Sequence, residues 1–551
     1  MPADINFKHG IYTTEVSTSI TPLAQITMPT VAIGTAPVHL ATDAAEPNTP
    51  VLCSTLREFV EQFGWSDDFE SYTLCEAARV HFSLYGIAPV IFINVLNPLK
   101  HAKTTTVEVT GTSAPVTLSQ PIVAGSIKVT TEKLPTTKTL IGIIDEDAEI
   151  DIPAEITGDF TLTAGDNELD LTTDYTINNG KISLTDDGKL KFDGALTFTA
   201  HDGGETVLVE DDDYTIERGD TATTLTLTIA GAAKVTDDKI KVTFREIDAT
   251  AVTSSTIIGG VDTMTGDNLG IECVEDIYPK LGVVPGTLIA PKFSTDSVVA
   301  ATLAAKAKSI NGCFKTIAIA DLPTDAATKY NNVNLVKTGK NFVDGFLVSA
   351  WSKVTLSGEQ YHLSTHLAAL MCAVDAARGD IPFKSPSNEY LQVDGMCLAD
   401  GKPVYLGKST ANYINGLGVV TALNFGGWRS WGNYTSAFPD DSNPINFISV
   451  RRMMNWICNM LTVNFFSRID SPMNRVLVDA VLDSVRLWLN GLAKSGAILG
   501  GDIAFLEEDN PTNELALGNM VFRMDVGFAV PAQKIQFTVQ FNHEYFSALF
   551  S

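Results

Sequence analysis

The chain has 551 residues, which at roughly 150 residues per domain suggests about three or four folding units. Hydrophobic residues make up 45 % of the chain and charged residues 19 %, so it can bury a large core and is not disordered as a whole. Lys and Arg total 38 against 65 Asp and Glu, for a formal net charge of -27. This acidic balance argues against proteins that bind the nucleic-acid backbone or an anionic membrane surface, since both partners select for basic patches.

The seven cysteines are widely scattered, form no CxxC pair and mostly lie in apolar runs such as Met371–Val374. This usage is typical of small buried hydrophobic residues in a reducing compartment. The first ten residues, MPADINFKHG, are too polar for a secretory signal, and no run approaches the ~20 apolar residues that a membrane helix needs. We therefore expect the chain to be made and folded in a cytoplasm.

Two short apolar runs in the first hundred residues predict strands, at Thr30–Gly34 and Pro89–Val95. Two helices are predicted between them, each beginning at a capping box, in which a Thr and a Glu three residues later satisfy free amides at the helix start. The first box is Thr55 with Glu58, and its helix is predicted to end at Gly64. The second box is Thr73 with Glu76, and its helix is predicted to end near Gly86. Strands that alternate with helices in this way indicate an α/β sandwich.

Between residues 101 and 249 the composition changes to Thr, Asp, Gly and alternating β-branched residues. Residues 145–248 alone carry 26 acidic and 8 basic side chains, a net charge of -18. The tetrapeptide Asp-Tyr-Thr-Ile occurs at Asp174–Ile177 and again at Asp213–Ile216, flanked by alternating strands and by turns such as Asn179-Gly180. We interpret this region as an inserted all-β domain with two related hairpin modules, charged on its surface and without chemistry of its own.

The strand and helix alternation returns after the insert. The predicted strands are Gly286–Pro291, Phe314–Ala320 and Phe346–Ala350, and the predicted helices are Asp296–Ile310 and His362–Ala377. Two long helices follow near Val450–Phe466 and Arg475–Leu492, the second with Ser471 as its cap and an Arg475–Asp479 pair one turn apart. The predicted fold is an α/β core, residues 23–100 with 250–385, followed by an α+β domain, residues 386–551.

Two segments resemble a phosphate-binding site and a metal-binding site, and each lacks a feature that such a site requires. Gly401–Thr410 resembles a phosphate-binding loop, but five residues separate its glycines where that loop needs four, and Asp400 with Gly401 is better explained as a hairpin turn. His362 and His366 lie four apart on a predicted helix without the Glu of a metalloprotease motif or an evident third ligand. No GxSxG nucleophile motif is present. We predict no catalytic residue, no cofactor and no metal.

The C-terminal residues carry a complete alternation of apolar and polar side chains. Ile535, Phe537, Val539 and Phe541 alternate with Gln536, Thr538 and Gln540. Met520–Phe528 alternates in the same way. One interpretation is a hairpin that finishes the chain's own core. The other is a terminal strand that adds to a neighbour's sheet, with backbone hydrogen bonds for affinity and alternate side chains for fit.

Several segments, in this order, resemble the contractile tail sheath proteins of bacteriophages and related phage-tail-like particles. They are Gly10–Val16, Thr30–Ala36, Phe82–Gly86 leading into Val90–Val95, Ser385–Asn388, Leu423-Asn424 with Gly426–Thr435, and Phe447–Arg452. One departure is Ser83-Leu84-Tyr85, which stands where an Asn-Gly pair is usual in the family. The resemblance covers about the first hundred residues and most of the chain from Ile257 onward, and it leaves out the acidic insert.

This resemblance implies an α/β core of subtilisin-like topology without a protease triad. It implies a subunit that polymerises as stacked hexameric rings around an inner tail tube and contracts to drive that tube through a target cell envelope. The implied partners are other copies of the chain, the tube protein, and baseplate and tail terminator proteins, with no direct contact to nucleic acid or membrane. The implied location is the virion tail, after assembly in the host cytoplasm.

The resemblance also assigns roles to three segments. Residues 1–22 form an N-terminal linker arm, and the C-terminal strand completes a sheet in a neighbouring subunit. A helix of the C-terminal domain faces the tube. The residues assigned are Tyr12, Thr13, Thr14, Glu15 and Val16 in the arm, Ile535, Gln536, Phe537, Thr538, Val539, Gln540 and Phe541 in the strand, and Arg475, Asp479, Asp483 and Arg486 in the helix.

Two other classes of protein compete with this interpretation. One is another self-assembling structural protein, such as a surface-layer or filament subunit, although a surface-layer protein would normally carry an export signal. The other is an α/β hydrolase or a nucleotide-binding enzyme with an acidic β appendage, for which the chain offers no complete site.

Overall fold

The computed structural model describes residues 23–110, 114–118, 122–123, 125–132, 136–141, 149–157, 159–192, 195–200, 205–218, 223–235 and 239–550. The predicted arm residues Tyr12–Val16 lie outside these ranges. The chain forms two compact units, one that combines the described residues up to Leu96 with those from Val252 onward, and one that spans Asn97–Ala251. Among the described residues, no helix is both long and apolar enough to cross a membrane.

An eight-stranded sheet organises the first unit. In spatial order its strands are Pro50–Cys53, Val90–Asn94, Val31–Gly34, Leu288–Ile289, Ala318–Asp321, Leu347–Ala350, Val419–Asn424 and Trp428–Trp431. The six central strands are parallel and the two edge strands are antiparallel to their neighbours. The central strands are almost completely buried, because helices cover both faces of a parallel sheet. The five strands predicted for the α/β core are therefore confirmed, each with shifted ends.

Helices and small sheets complete this unit. The α-helices are Leu56–Phe63, Thr73–Ala78, Ser254–Ile258, Ile277–Leu281, Ser297–Lys308, Val333–Gly339, Leu363–Ala376, Lys408–Asn415, Ile448–Phe465, Arg475–Lys494 and Thr512–Ala516, and a π-helical turn spans Arg79–Tyr85. Small antiparallel sheets pair Gly260–Val261 with Asn268–Leu269, Lys353–Leu356 with Glu359–Tyr361 and Gly395–Cys397, and Ile498–Ala504 with Arg523–Phe528. The structure is thus a mixed α/β fold, with its longest helices near the C-terminus.

Two of the predicted helix starts are wrong. Thr73 is the first residue inside its helix, which begins after Tyr72, and its hydroxyl accepts a hydrogen bond from the amide of Thr35, just after the strand Val31–Gly34. The helix Arg475–Lys494 begins at Asn474, whose side chain accepts from the amide of Leu477, so Ser471 is not its cap. In contrast, Thr55 caps the first helix as predicted, with its side chain accepting from the amide of Glu58.

The described residues of the unit Asn97–Ala251 form antiparallel sheets and two short α-helices, Asp186–Lys191 and Ile229–Ala232. We name its two parts the outer module, residues 102–132 with 205–247, and the inner module, residues 136–200. The outer strands are Ala102–Thr110, Val116–Leu118, Lys128–Glu132, Glu205–Leu208, Tyr214–Arg218, Thr223–Leu227 and Lys239–Ile247. The inner strands are Thr136–Ile141, Ile150–Asp151, Phe160–Ala164, Asn167–Leu169, Tyr175–Asn178, Lys181–Leu184 and Ala195–Ala200. Each predicted hairpin with the repeated tetrapeptide is therefore part of a larger seven-stranded module.

Candidate assembly surfaces

The C-terminal residues 529–542 lie beyond the last strand of the chain and have no secondary structure of their own. The four apolar side chains of the predicted linker strand, at Ile535, Phe537, Val539 and Phe541, are 72, 83, 92 and 78 % exposed. Gln536, Thr538 and Gln540 between them are exposed as well. The apolar side chains of this alternating segment therefore do not pack into a core within the described part of the chain.

The C-terminal segment leaves the body of the protein at a well-defined point. The side-chain amide of Gln533 donates to Asn433 Oδ1 at 3.2 Å, and the hydroxyl of Tyr434 donates to Gln533 Oε1 at 3.2 Å. Tyr434 is itself held between two rings, with ring centroids 3.9 Å from Phe438 and 4.5 Å from Phe447. We name this group of contacts the C-terminal anchor. It fixes the start of a segment whose remaining residues are exposed.

A second side-chain amide holds the first described residues of the chain. The amide of Ala24 donates to Asn464 Oδ1 at 2.6 Å, and Asn464 Nδ2 donates back to the carbonyl of Ala24 at 3.0 Å. Asn464 lies near the end of the helix Ile448–Phe465 and also donates to the carbonyl of Met460. We name this pairing the N-terminal anchor. It fixes the point from which the predicted N-terminal arm begins.

The C-terminal hairpin, Ile498–Ala504 with Arg523–Phe528, is a sheet of two strands. Among the described residues no further strand pairs with it, so each of its strands has one edge with unpaired backbone groups. Beside it lies an apolar groove of about 590 Å³. The groove is bounded by the two long helices and the hairpin, with a lining that includes Phe465, Leu477, Val485, Ile503, Phe522 and Met524. An open sheet edge next to an apolar groove is a surface that can accept an amphipathic strand.

The predicted tube-facing helix, Arg475–Lys494, has one buried and one exposed face. Its buried residues are Val478, Leu482, Val485, Leu489 and Leu492. The predicted residues lie on the other side, where Arg475 and Asp479 form the expected ion pair at 2.9 Å and Asp483 is exposed. Arg486 is already engaged within the chain, since it contacts Asp502 at 3.1 Å and donates to the carbonyl of Ile503.

Sequence reasoning missed two exposed apolar residues on this helix, Val476 and Leu487, which are 75 and 55 % exposed. The sequence could have indicated them, because both apolar residues lie at positions that do not follow the helical spacing of the buried face. Apolar side chains beside a row of charges are a better indication of a contact surface than the charges alone.

Two buried carboxylates of the core, Glu76 and Asp321, hold the start of one helix. Glu76 accepts hydrogen bonds from the amide of His362 at 2.7 Å, from its imidazole at 2.8 Å and from the hydroxyl of Thr365 at 2.9 Å. Asp321 accepts from the amide and the hydroxyl of Ser364. These carboxylates satisfy the free amides at the start of the helix Leu363–Ala376, where negative charge is favourable.

The two histidines that were considered as metal ligands are both buried, and their pKa values shift in opposite directions. Burial disfavours the charged imidazole of His362, but the carboxylate of Glu76 outweighs this effect and raises its pKa. Burial lowers the pKa of His366 to about 3, and its imidazole lies beside the hydroxyl of Tyr85 at 3.4 Å. Within the described residues no group of three or more potential ligands could hold a metal ion.

The segment that resembles a phosphate-binding loop begins with the hairpin turn predicted at Asp400 and Gly401, and its last residues start the helix Lys408–Asn415. Gly401 has a positive φ of 79° and its amide donates to the carbonyl of Leu398 at 3.0 Å. The amide of Val404 donates to Met396 across the hairpin. Because the turn uses these backbone amides internally, they do not form a phosphate cradle.

Comparison with known proteins identifies relatives of the chain. It is 27 % identical over 364 residues to the tail sheath protein of Burkholderia phage BcepMu, an alignment that covers 63 % of this chain and 74 % of that protein. It is 24 % identical over 306 residues to the major tail sheath protein of Serratia phage KSP20, covering 55 and 75 %. The chain is a homologue of phage tail sheath proteins. These homologues are structural proteins, so the sheath function is confirmed and the enzyme alternative is set aside.

Solved structures of sheath proteins are also similar. The helical sheath of the anti-feeding prophage in its contracted state has a TM-score of 0.48 at 13 % identity, covering 97 % of this chain and 98 % of that one. The sheath complex of the extracellular contractile injection system PVC, also contracted, has a TM-score of 0.41 at 18 % identity, covering 50 and 76 %. No family model matches the chain.

Proposed function

We propose that this sheath homologue polymerises as stacked hexameric rings around an inner tail tube, and that contraction of the polymer drives the tube through a target cell envelope. The observation that carries the proposal is the C-terminal segment. Four large apolar side chains alternate without interruption, and all are exposed in the single chain. A monomer gains nothing from this arrangement, whereas a polymer buries it at every junction between subunits.

The C-terminal hairpin is the surface that this segment is proposed to join in a neighbouring subunit. An added strand would satisfy the backbone groups at an open edge and place its apolar face over the groove beside the hairpin. Four apolar side chains at roughly 1.5–3 kcal/mol each could contribute on the order of 6–12 kcal/mol before association and ordering costs are subtracted. The net free energy can hold a permanent link between subunits.

The two anchors support an exchange of both termini. Asn464 holds Ala24, close to the first described residue, and Gln533 is held where the exposed C-terminal segment begins. We therefore propose that the segments beyond these two points join neighbouring subunits. We propose that Tyr12–Val16 pairs with Ile535–Phe541 in the same composite sheet. Links of this kind can persist during contraction, because each added strand moves with the sheet that it joins while the flanking residues absorb the rotation.

The domain roles follow the same proposal. Residues 1–22 form the N-terminal linker arm, residues 23–100 with 250–385 form a core of subtilisin-like topology, residues 101–249 form an outward-facing acidic domain, and residues 386–551 form the assembly domain. We propose that the exposed face of Arg475–Lys494 contacts the tube, and that baseplate and tail terminator proteins bind the ends of the polymer. Assembly is proposed to occur in the host cytoplasm before the subunit becomes part of the tail.

A pair of matched double variants tests the strand exchange. Phe537→Asp with Val539→Asp places two charges on the apolar face, and Gln536→Asp with Gln540→Asp places the same charges on the polar face of the same segment. Electron microscopy of the concentrated protein should show cylinders for the native chain and the polar-face variant, and soluble monomers for the apolar-face variant. Measured on dilute protein, below the concentration at which cylinders form, the thermal unfolding midpoint should be the same in all three, because polymerisation itself would raise it.

Two outcomes would contradict the proposal. Cylinders formed by the apolar-face variant would show that the segment is not a link between subunits. A lower unfolding midpoint for that variant in the unassembled state would show that the segment belongs to the core of its own chain. Deleting all residues after Gln533 provides a second test with the same expected result, a folded monomer that does not polymerise.

A further inference from the structure

The inner and outer modules of the unit Asn97–Ala251 have the same strand order. Each consists of one four-stranded and one three-stranded antiparallel sheet. Numbered along the chain within a module, the strands follow the spatial order 4-3-7-1 in the larger sheet and 5-6-2 in the smaller sheet, in both modules. The last strand lies between the first and third strands in each, as Ala195–Ala200 does in the inner module and Lys239–Ile247 in the outer module.

An ion pair between a buried Asp and a half-exposed Lys recurs at the same place in both modules. Asp174 opens the inner copy of the repeated tetrapeptide, and its carboxylate accepts from the amide of Asp170 at 2.8 Å and from Lys191 Nζ at 2.7 Å. In the outer copy, Asp213 accepts from the amide of Val209 at 2.9 Å and contacts Lys234 at 2.8 Å. Both aspartate side chains are 1 % exposed. In both copies the Asp of the tetrapeptide therefore binds a lysine at or just after the end of a short helix.

A Thr and a Gly at that short helix also recur. In the inner module Thr185 accepts from the amide of Gly188 at 3.2 Å and donates to the carbonyl of Thr173. In the outer module Thr228 accepts from the amide of Gly231 at 3.1 Å and donates to the carbonyl of Asp212. A Cβ atom at either glycine would lie 1.9 Å from the carbonyl oxygen of the buried Asp of its own module. Only glycine allows this contact, so the same local geometry selects the same residue twice.

The chain connectivity nests one module in the other. Glu132 pairs with Glu205, so the whole inner module occupies the turn of an outer hairpin. Thr136 pairs with Ala200, which places the two ends of the inner module side by side, as an inserted domain requires. The equivalent hairpin of the inner module is closed by the short turn Gly165-Asp166, since Ala164 pairs with Asn167.

Each module has its own hydrophobic core. The inner core is built from Ile150, Ile156, Leu162, Ala164, Leu169, Tyr175, Ile182, Leu184, Leu196, Phe198 and Ala200. The outer core is built from Val116, Leu118, Val129, Leu208, Tyr214, Leu225, Ile240, Val242 and Phe244. The two sets share no residue, which is the condition for separate folding units.

We infer that this region holds two copies of one folding module, that each copy folds on its own core, and that the hairpin turn after Glu132 is a site at which a whole domain can be removed or exchanged. A domain inserted at this turn is joined to the rest of the chain through the outer module. The equivalent inner turn, Gly165-Asp166, is a second site of the same kind. The acidic region can thus gain or lose a module at either turn, and the fold of the module that contains that turn stays the same.

Hydrogen exchange of the full chain tests the independence of the two cores. Asp174→Ala should accelerate amide exchange in Ala195–Ala200 by about tenfold or more and leave Lys239–Ile247 unchanged, and Asp213→Ala should do the reverse. The exposed aspartates Asp187 and Asp212 serve as matched controls, and alanine at either position should change neither strand. If one buried substitution accelerates both strands alike, the region is a single cooperative unit and the inference is wrong. If neither substitution accelerates exchange in its own module, the repeated Asp does not stabilise a folding module, which also overturns the inference.

A deletion in the full chain tests the exchange site directly. Residues 133–204 are replaced by the inner module's own Gly-Asp turn, which closes the outer hairpin between Glu132 and Glu205. Exchange in the outer strand Lys239–Ile247 should stay within about threefold of its rate in the full chain. Loss of protection in that strand would show that the outer module depends on the inner one. A third folded domain inserted between Gly165 and Asp166 should leave both strands protected, and unfolding of the inner module by that insertion would count against the second site.

Discussion

The carboxylate of Glu76 accepts hydrogen bonds from both the amide and the imidazole of His362, a residue 286 positions further along the chain. Both side chains are almost completely buried. Asp321 and Lys353 also act on this imidazole, the first raising and the second lowering its pKa. The pair joins the helix Thr73–Ala78 to the start of the helix Leu363–Ala376, and it makes the stability of the core depend on pH.

The pH dependence has a definite sign. Because the pKa of His362 is raised in the folded state, its contribution to stability is complete below the unfolded value near 6.5 and is lost as the pH rises through the folded value. Glu76→Gln should lower the free energy of unfolding by about 3–5 kcal/mol, since it removes one partner of a buried pair. The same substitution should also remove the decline of the free energy of unfolding above pH 6.5, as measured by urea unfolding between pH 5 and 9. Glu61→Gln, in an exposed pair with Arg57, is the control, and an equal loss there would contradict the role of Glu76.

Lys337 predicts the opposite trend at higher pH. Its ammonium group is buried and donates to the carbonyls of Leu417 at 2.5 Å and Phe438 at 2.6 Å, and burial lowers its pKa to about 8. The unfolded chain then binds more protons between pH 8 and 10.5, so this residue makes stability rise with pH across that interval, by up to about 3 kcal/mol. In urea unfolding, Lys337→Met should remove this rise in the free energy of unfolding. The control Lys329→Met, at an exposed position, should leave the rise unchanged. A rise that persists in the Lys337 variant would refute this assignment.

The N-terminal anchor predicts a local effect. Asn464→Leu removes both hydrogen bonds to Ala24 at an exposed site, so the core should keep its unfolding midpoint. Limited proteolysis should cut near residue 24 several times faster than in the native chain, and cylinders should be fewer or shorter. Asn513→Leu, at an exposed position on another helix, is the control. Unchanged cleavage near residue 24 would show that Asn464 does not hold the segment.

The proposed tube contact predicts a surface effect without a change in fold. Val476→Lys and Asp483→Lys alter the exposed face of Arg475–Lys494 and disturb no ion pair that the structure shows. Each should reduce co-sedimentation of the sheath with purified tube and leave the unfolding midpoint unchanged. Arg486→Glu is a poor probe, since it would also break the contact with Asp502. Normal co-sedimentation of both lysine variants would remove this face from consideration.

Local patterns determined most of the secondary structure. Apolar runs identified the buried strands of the core, because a parallel strand covered on both faces must be apolar along its whole length. Spacing alone predicted the cap at Thr55 and the Arg475–Asp479 pair, since caps and one-turn ion pairs depend on residues three or four apart. The alternation of Ile535–Phe541 was equally plain.

Tertiary structure decided the features that depend on distant residues. The same Thr-x-x-Glu spacing caps a helix at Thr55 and fails at Thr73, because Glu76 is recruited by His362 from another helix. The repeated tetrapeptide showed that something recurs, but the nested strand order emerged only from pairing between strands that lie far apart in the chain. Spacing encodes contacts within one turn of a helix or one hairpin, whereas burial of a carboxylate or closure of a sheet depends on which distant segments the fold brings together.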